Sequence, residues 1–188
     1  MQVIRTRGLS ATTVDDLCAA AGVTKGAFFH HFESKQALAV AAADYWSETT
    51  GELFATAAYH DVADPLGRIL GYLDLRAGLI AGSPADYTCL VGTMTQEAFA
   101  TSPEIRDACA ASIFGHARTL EPDFAAALTA AGDPPGVDAA GLARHTQAVL
   151  QGAFVLSKAA DDPALVTESI AHLRRYFEQL LAKGESES

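Results

Sequence analysis

The chain has 188 residues and a formal net charge of -10, with 13 Lys and Arg against 23 Asp and Glu. This length is enough for a sizeable core. Charges interrupt every apolar run well before membrane length, and no apolar stretch follows the arginines near the start, so neither a secretory signal nor a membrane span is expected. Cys18, Cys89 and Cys109 are widely spaced and form no CxxC pair, which predicts three free thiols in a cytoplasmic protein. There is no Walker-type loop, nucleophile elbow, zinc-ligand spacing or pair of catalytic carboxylates. The expectation is therefore no enzyme, no metal and no cofactor.

The chain opens with MQVIRTRG, which carries Val3 and Ile4 with Arg5 and Arg7 beside them. The next segment opens at Thr12 or Thr13, where a carboxylate three residues after each hydroxyl (Asp15 or Asp16) offers a capping box. Val14, Leu17, Cys18 and Ala21 then fall on one helical face, and Gly22 supplies the permissive backbone for a sharp exit. Thr24 caps a second short helix of Lys25, Gly26, Ala27, Phe28, Phe29, His30 and His31, with Phe32 able to pack back on the first. Two helices joined by a short glycine turn form the layout of a helix-turn-helix DNA reader. His30 and His31 are adjacent and project differently, so they do not make a metal pair.

Ser34 opens a connector predicted over 34–58. A further helix should run over 65–81, with Pro65 at a tolerated first-turn position and apolar residues on two sides, as in a buried central helix. Helices are then expected over 87–100, 103–120 and 123–131, with Pro122 forcing a bend or break. AGDPPGVD is the clearest loop. Two long helices, 139–158 and 164–183, close the chain, and GESES at 184–188 reads as a disordered tail. No strand alternation competes, so the fold class is all-α: a helix-turn-helix head over 1–43 and a larger helical body over 44–183.

The run TTVDDLCAAAGVTKGAFFHHFESKQAL resembles the signature of TetR-type transcriptional regulators: a threonine pair, a helix and glycine turn, a lysine-glycine step, aromatics, a His-Phe pair and a Ser-Lys-x-x-Leu helix start. The resemblance covers about the first fifth of the chain and implies roles residue by residue. Thr13, Lys25 and Lys35 match positions at backbone phosphates. Thr24, Gly26, Ala27 and Phe28 match the turn facing base edges, and His30 and His31 lie near the flanking phosphates. Phe29 stands where the family commonly has a tyrosine whose hydroxyl reaches a phosphate, a bond phenylalanine cannot make. The family also usually has a full helix ahead of the motif. Only MQVIRTRG is present here, so either the true start lies upstream or the head is partly built, with less apolar cover for Leu17 and Phe32.

Residues 1–43 carry Arg5, Arg7, Lys25 and Lys35 against Asp15, Asp16 and Glu33, a net +1, leaving -11 on the rest. The acidic body should repel DNA and orient the head toward it. The resemblance further implies a small-molecule pocket among the middle helices and dimerisation through the last two. Tyr72, Leu75, Leu79, Met94, Phe114, His116 and Phe154 are the pocket candidates, mostly apolar with a few polar handles, so the effector is expected to be largely apolar. Leu150, Gly152, Phe154, Leu173, Phe177 and Leu180 are the candidates for a two-fold interface. Ordinary core packing competes at each of these positions. Cysteines in this part of the body serve as oxidation or electrophile sensors in some members, so Cys89 is either a sensor or a small core residue. The function implied is a ligand-responsive repressor that binds a palindromic operator as a homodimer and is released by a small molecule. The alternative is a helical small-molecule-binding dimer whose shortened head no longer binds DNA.

Overall fold

The computed structural model describes residues 1–182. The expected tail at 184–188 and Lys183 lie outside them. The regular structure of the described residues is all helical, without strands. In chain order the helices are α1 (Gln2–Arg7), α2 (Val14–Ala21), α3 (Lys25–His31), α4 (Lys35–Ala55), a 3₁₀ turn (Ala58–Asp61), α5 (Pro65–Gly78), α6 (Pro84–Tyr87), α7 (Leu90–Ala98), α8 (Pro103–Ala130), α9 (Ala139–Ala160) and α10 (Ala164–Leu180).

Several boundaries follow from local chemistry. Ser34 Oγ accepts the Ala37 amide at 3.0 Å and starts α4, Asp64 caps α5 ahead of Pro65, and Asp138 caps α9. The helix expected over 87–100 is narrower, running as α7 over Leu90–Ala98, and a short helix that was not expected precedes it. Ser83 and Asp86 form a capping box ahead of Pro84, which nucleates a four-residue α6, and extended backbone at Thr88 and Cys89 separates it from α7. Of the bend or break expected at Pro122, the break does not occur, since α8 runs through it. A proline inside a helix costs about 3 kcal/mol. Here Ala117, Leu120, Phe124, Ala127 and Leu128 bury one face on both sides of it while Pro122 stays exposed, and burial at about 1.5–3 kcal/mol per large apolar side chain outweighs that cost.

The chain packs as two units, one of Met1–Leu53 with Gly82–Ile113, the other of Phe54–Ala81 with the chain from Phe114 onward. The first unit has a core of Ile4, Leu9, Ala39, Ala43, Leu90, Val91, Met94, Ala98, Ile105 and Cys109. Helices α6 and α7, which sequence alone assigns to the body, therefore pack with the head, where α1 lies against both. In the second unit α10 packs on α9 and α5, with Phe124 and Phe177 edge to face at 5.0 Å between ring centres.

Candidate nucleic-acid interface and body cluster

The head is assembled from its turns. Thr13 and Asp16 form a reciprocal capping box at the start of α2. Those bonds from the Thr13 hydroxyl and amide, helped by Arg7, hold the Asp16 carboxyl below the ordinary carboxylate range. Gly22 ends α2 in the left-handed region at φ 67°, which costs glycine nothing. Thr24 then caps α3, its hydroxyl accepting the Ala27 amide at 3.1 Å. Phe28 is buried against Phe32 and the edge of Phe29.

With Phe28 turned inward, α3 presents Lys25, Gly26, Ala27, Phe29, His30 and His31 to solvent, with Thr13 and Thr24 exposed beside them. Phe28 was expected at base edges, and its burial corrects that placement: it packs inward against Phe32. Lys35, expected at a phosphate, points into the head instead. Its ammonium donates to the carbonyls of Leu9 and Thr12, both at 2.9 Å, binding the loop after α1 to the start of α4. Lys25 lies 2.9 Å from Asp15, with both side chains exposed.

Helix α1 is short but anchored. Ile4 is fully buried, and the Arg5 guanidinium lies 5.0 Å from the centre of the Trp46 ring, with its Nε enclosed and without a hydrogen-bond partner. Burial lowers the Arg5 pKa, opposed by Cys89 and Asp86. Cys89 itself caps α7, its sulfur accepting the Gly92 amide at 3.4 Å.

Of the body candidates, the structure brings Tyr72 and His116 together. The Tyr72 hydroxyl receives the Nε proton of Arg76 at 2.9 Å and an amide proton of Gln147 at 3.4 Å, and it lies 3.0 Å from His116 Nε2. Arginine and glutamine can only donate here, so the single Tyr72 proton goes to Nε2, which places the histidine's proton on Nδ1. Burial, reinforced by the Arg76 cation, pushes His116 down to about 3 and keeps it neutral. Tyr59, buried beside Tyr72, is pushed up to about 12. The Arg76 guanidinium lies over the Phe54 ring at 4.7 Å and the Tyr72 ring at 5.5 Å. Sequence reasoning missed Arg76, Phe54 and Gln147. The one available signal was Arg76 four residues after Tyr72, a spacing that stacks two side chains on one helix face.

Other expectations need correction. Met94 is fully enclosed in the core of the first unit, whereas Tyr72 belongs to the second. Leu79 and Phe114 are exposed, Leu75 is half-buried and Phe154 is buried. A cavity of about 10 Å³ is lined by Ile69, Tyr72, Leu120 and Phe177 among others, room for about one water molecule. The interface candidates Leu150, Phe154, Leu173 and Phe177 are all buried within the protomer. An amphipathic helix spends its strongest apolar face on its own core first, and these residues form that face. Leu180 is half-buried and Gly152 exposed, on a side of α9 that also exposes Ala148, Val155 and Leu156.

No described helix is long and apolar enough to cross a membrane, and no group of metal-ligating side chains occurs among the described residues. A helix-turn-helix head followed by a larger all-helical body is the architecture of a bacterial transcriptional regulator.

Comparison with known proteins agrees. Residues 1–42 match the family model for bacterial regulatory proteins of the tetR family. Residues 65–172 match that for the LmrA/YxaF-like transcriptional regulator C-terminal domain. The chain belongs to the TetR family of transcriptional regulators, whose members bind DNA rather than catalyse reactions. It is similar to the HTH-type transcriptional regulator TtgR of Pseudomonas putida, 41% identical over 61 residues, which is 32% of this chain and 29% of that protein. An uncharacterised HTH-type regulator of Bacillus subtilis, YerO, is 42% identical over 40 residues, 21% of this chain and 14% of its own length. The match thus spans less than a third of these curated relatives. Among solved structures, a TetR regulator of Chloroflexus aurantiacus superposes with a TM-score of 0.77 at 27% identity, covering 95% of this chain and 89% of that one. Reduced E. coli NemR superposes at 0.76 and 21% identity over 93% and 90%, which shows the shared fold.

Proposed function

We propose that this regulator is a repressor that binds a palindromic operator as a homodimer and releases it when a largely apolar small molecule enters the body. The observation that carries the reading is the outward face of α3: Gly26 and Ala27 leave room for close approach to a groove, while Lys25, His30 and His31 flank it with donors. Thr13, Thr24 and Phe29 complete the surface, Phe29 offering an apolar contact in place of a phosphate bond. With a net charge near +1 on the head, one copy binds weakly, and pairing two heads supplies the affinity.

The dimer surface we propose is the exposed side of α9, comprising Gly152, Val155 and Leu156, with Tyr176 of α10. Gly152 has open space where a Cβ would stand, which permits close approach of a second helix. Ligand in the body shifts the connector α4, and operator and ligand then oppose each other through a coupling free energy. The protein acts in the cytoplasm, where its operator lies.

The test is a gel shift with the full chain on DNA upstream of its own coding sequence. Retardation that is lost in Lys25→Ala and weakened by salt is the expected result. No retardation under any salt condition overturns the regulator's operator reading. The alternative, a ligand-binding dimer with a non-functional head, is not favoured, because α1 is anchored through Ile4 and the recognition helix is capped and open to solvent.

A further inference from the structure

Resting on the reading of the body as an effector-binding module, we infer that the corner formed by Tyr72, Arg76 and Phe54 recognises a planar anion, of the chemistry of an aromatic carboxylate, with Arg76 supplying the pairing charge. Three arginines of the second unit are half-buried: Arg68, Arg76 and Arg174. Arg68 is paired with Asp123, and Arg174 with Asp74 and Glu178. Arg76 has no carboxylate within ion-pair distance among the described residues, in a region of the chain that is strongly acidic. A half-buried cation without a counter-charge is only partly compensated by the water that still reaches it. A protein with so many carboxylates has had every chemical opportunity to neutralise it, so the unpaired charge is a feature of the site.

The orientation of the group narrows the ligand. Arg76 spends Nε on the Tyr72 hydroxyl, which locks the guanidinium plane. Its two terminal nitrogens have no acceptor among the described residues and keep contact with solvent, since neither is an enclosed polar atom lacking a partner. That leaves a flat, outward fork matching the two oxygens of a carboxylate. The Phe54 and Tyr72 rings flank the guanidinium at 4.7 and 5.5 Å and are backed by Tyr59 and His116, which pack against them; a planar aromatic body suits such a neighbourhood. His116 is neutral, so the corner carries one positive charge. It therefore favours a single negative charge over a dianion such as phosphate.

The experiment is calorimetric titration of the full chain with 2-naphthoate and with its uncharged isostere 2-naphthamide, repeated on Arg76→Gln and Arg76→Lys. The expected result is a preference for the carboxylate of about 10- to 100-fold, abolished in R76Q and partly kept in R76K, which retains charge but not the fork. Equal binding of the two probes, a carboxylate preference that survives R76Q, or no binding of 2-naphthoate at millimolar concentration each overturns the inference. The probe comparison on the unaltered protein is decisive by itself should R76Q fail to fold. The operator gel shift is read separately: Arg76-dependent binding without operator binding would uphold this site and sink the operator reading. Operator binding without carboxylate selectivity would do the reverse.

Discussion

The carboxylate of Glu97, on α7, accepts the backbone amide of Ser10 at 2.7 Å, closing the loop between α1 and α2 across 87 residues of sequence. Gly8 sits beneath it at φ 85°, so near that an added Cβ would collide with the Glu97 side chain. Gly8→Ala should therefore destabilise the protein by about 1–3 kcal/mol, from left-handed strain and from displacing Glu97 off the Ser10 amide. Glu97→Ala removes only the second part. The two substitutions should thus be less than additive in a double-mutant cycle read by urea unfolding. Full additivity would show that Gly8 and Glu97 act separately.

Lys25 and Lys35 should separate in their salt dependence, although the family signature gives both a phosphate. Lys25→Ala should weaken operator binding and lower the slope of log affinity against log salt by about 1 per head. Lys35→Met should leave that slope unchanged and cost about 1–3 kcal/mol of folding stability, because the Leu9 and Thr12 carbonyls lose a charged donor. A reduced slope for Lys35→Met, with unaltered unfolding, would return this lysine to the DNA surface.

His116 should make the body sensitive to acid. An unfolded chain takes up a proton on this ring as pH falls through about 6.5, whereas the folded ring stays neutral until about 3. Its contribution is therefore complete above pH 6.5 and declines below it, by up to about 1.4 kcal/mol per pH unit. His116→Gln keeps an acceptor for Tyr72 and removes the titration. Unfolding free energies at pH 7.5, 6.5 and 5.5 should fall less steeply in the variant, and identical slopes would contradict this account.

Leu150 and Leu156, six residues apart on α9, should fail in different ways. Leu150 is 1% exposed, and its replacement by Ala should cost about 2–5 kcal/mol of folding stability. Leu156 is 56% exposed. Leu156→Glu should leave the fold intact and shift sedimentation toward monomer by burying a charge at the proposed two-fold contact. An unchanged dimer in Leu156→Glu would place the interface elsewhere.

The head was legible in the sequence because its signals are local: a hydroxyl and carboxylate three residues apart at Thr13 and Asp16, a glycine after the apolar face, and a second cap at Thr24. Each sets backbone conformation without help from distant residues. What sequence missed depends on tertiary choice. The side taken by Phe28 is decided by which ring can be buried against Phe32, and the fate of Lys35 by two carbonyls more than twenty residues away. Pro122 reads as a breaker until the apolar residues on either side of it prove to share one buried face. Leu150 and Leu173 look like an interface because the same stripe that joins two protomers also serves to join two helices of one. Met94 and Tyr72 both look like pocket residues, and only the partition of the chain into two packing units separates them.

Trp46 is the only tryptophan of the chain and lies beneath the Arg5 guanidinium. Its emission is thus a native optical probe of whether the first helix is seated. Undocking α1 removes a cation from the indole face and admits water, so intensity and wavelength should change together, without any added dye. Seating of α1 can thereby be followed in real time from the protein's own light.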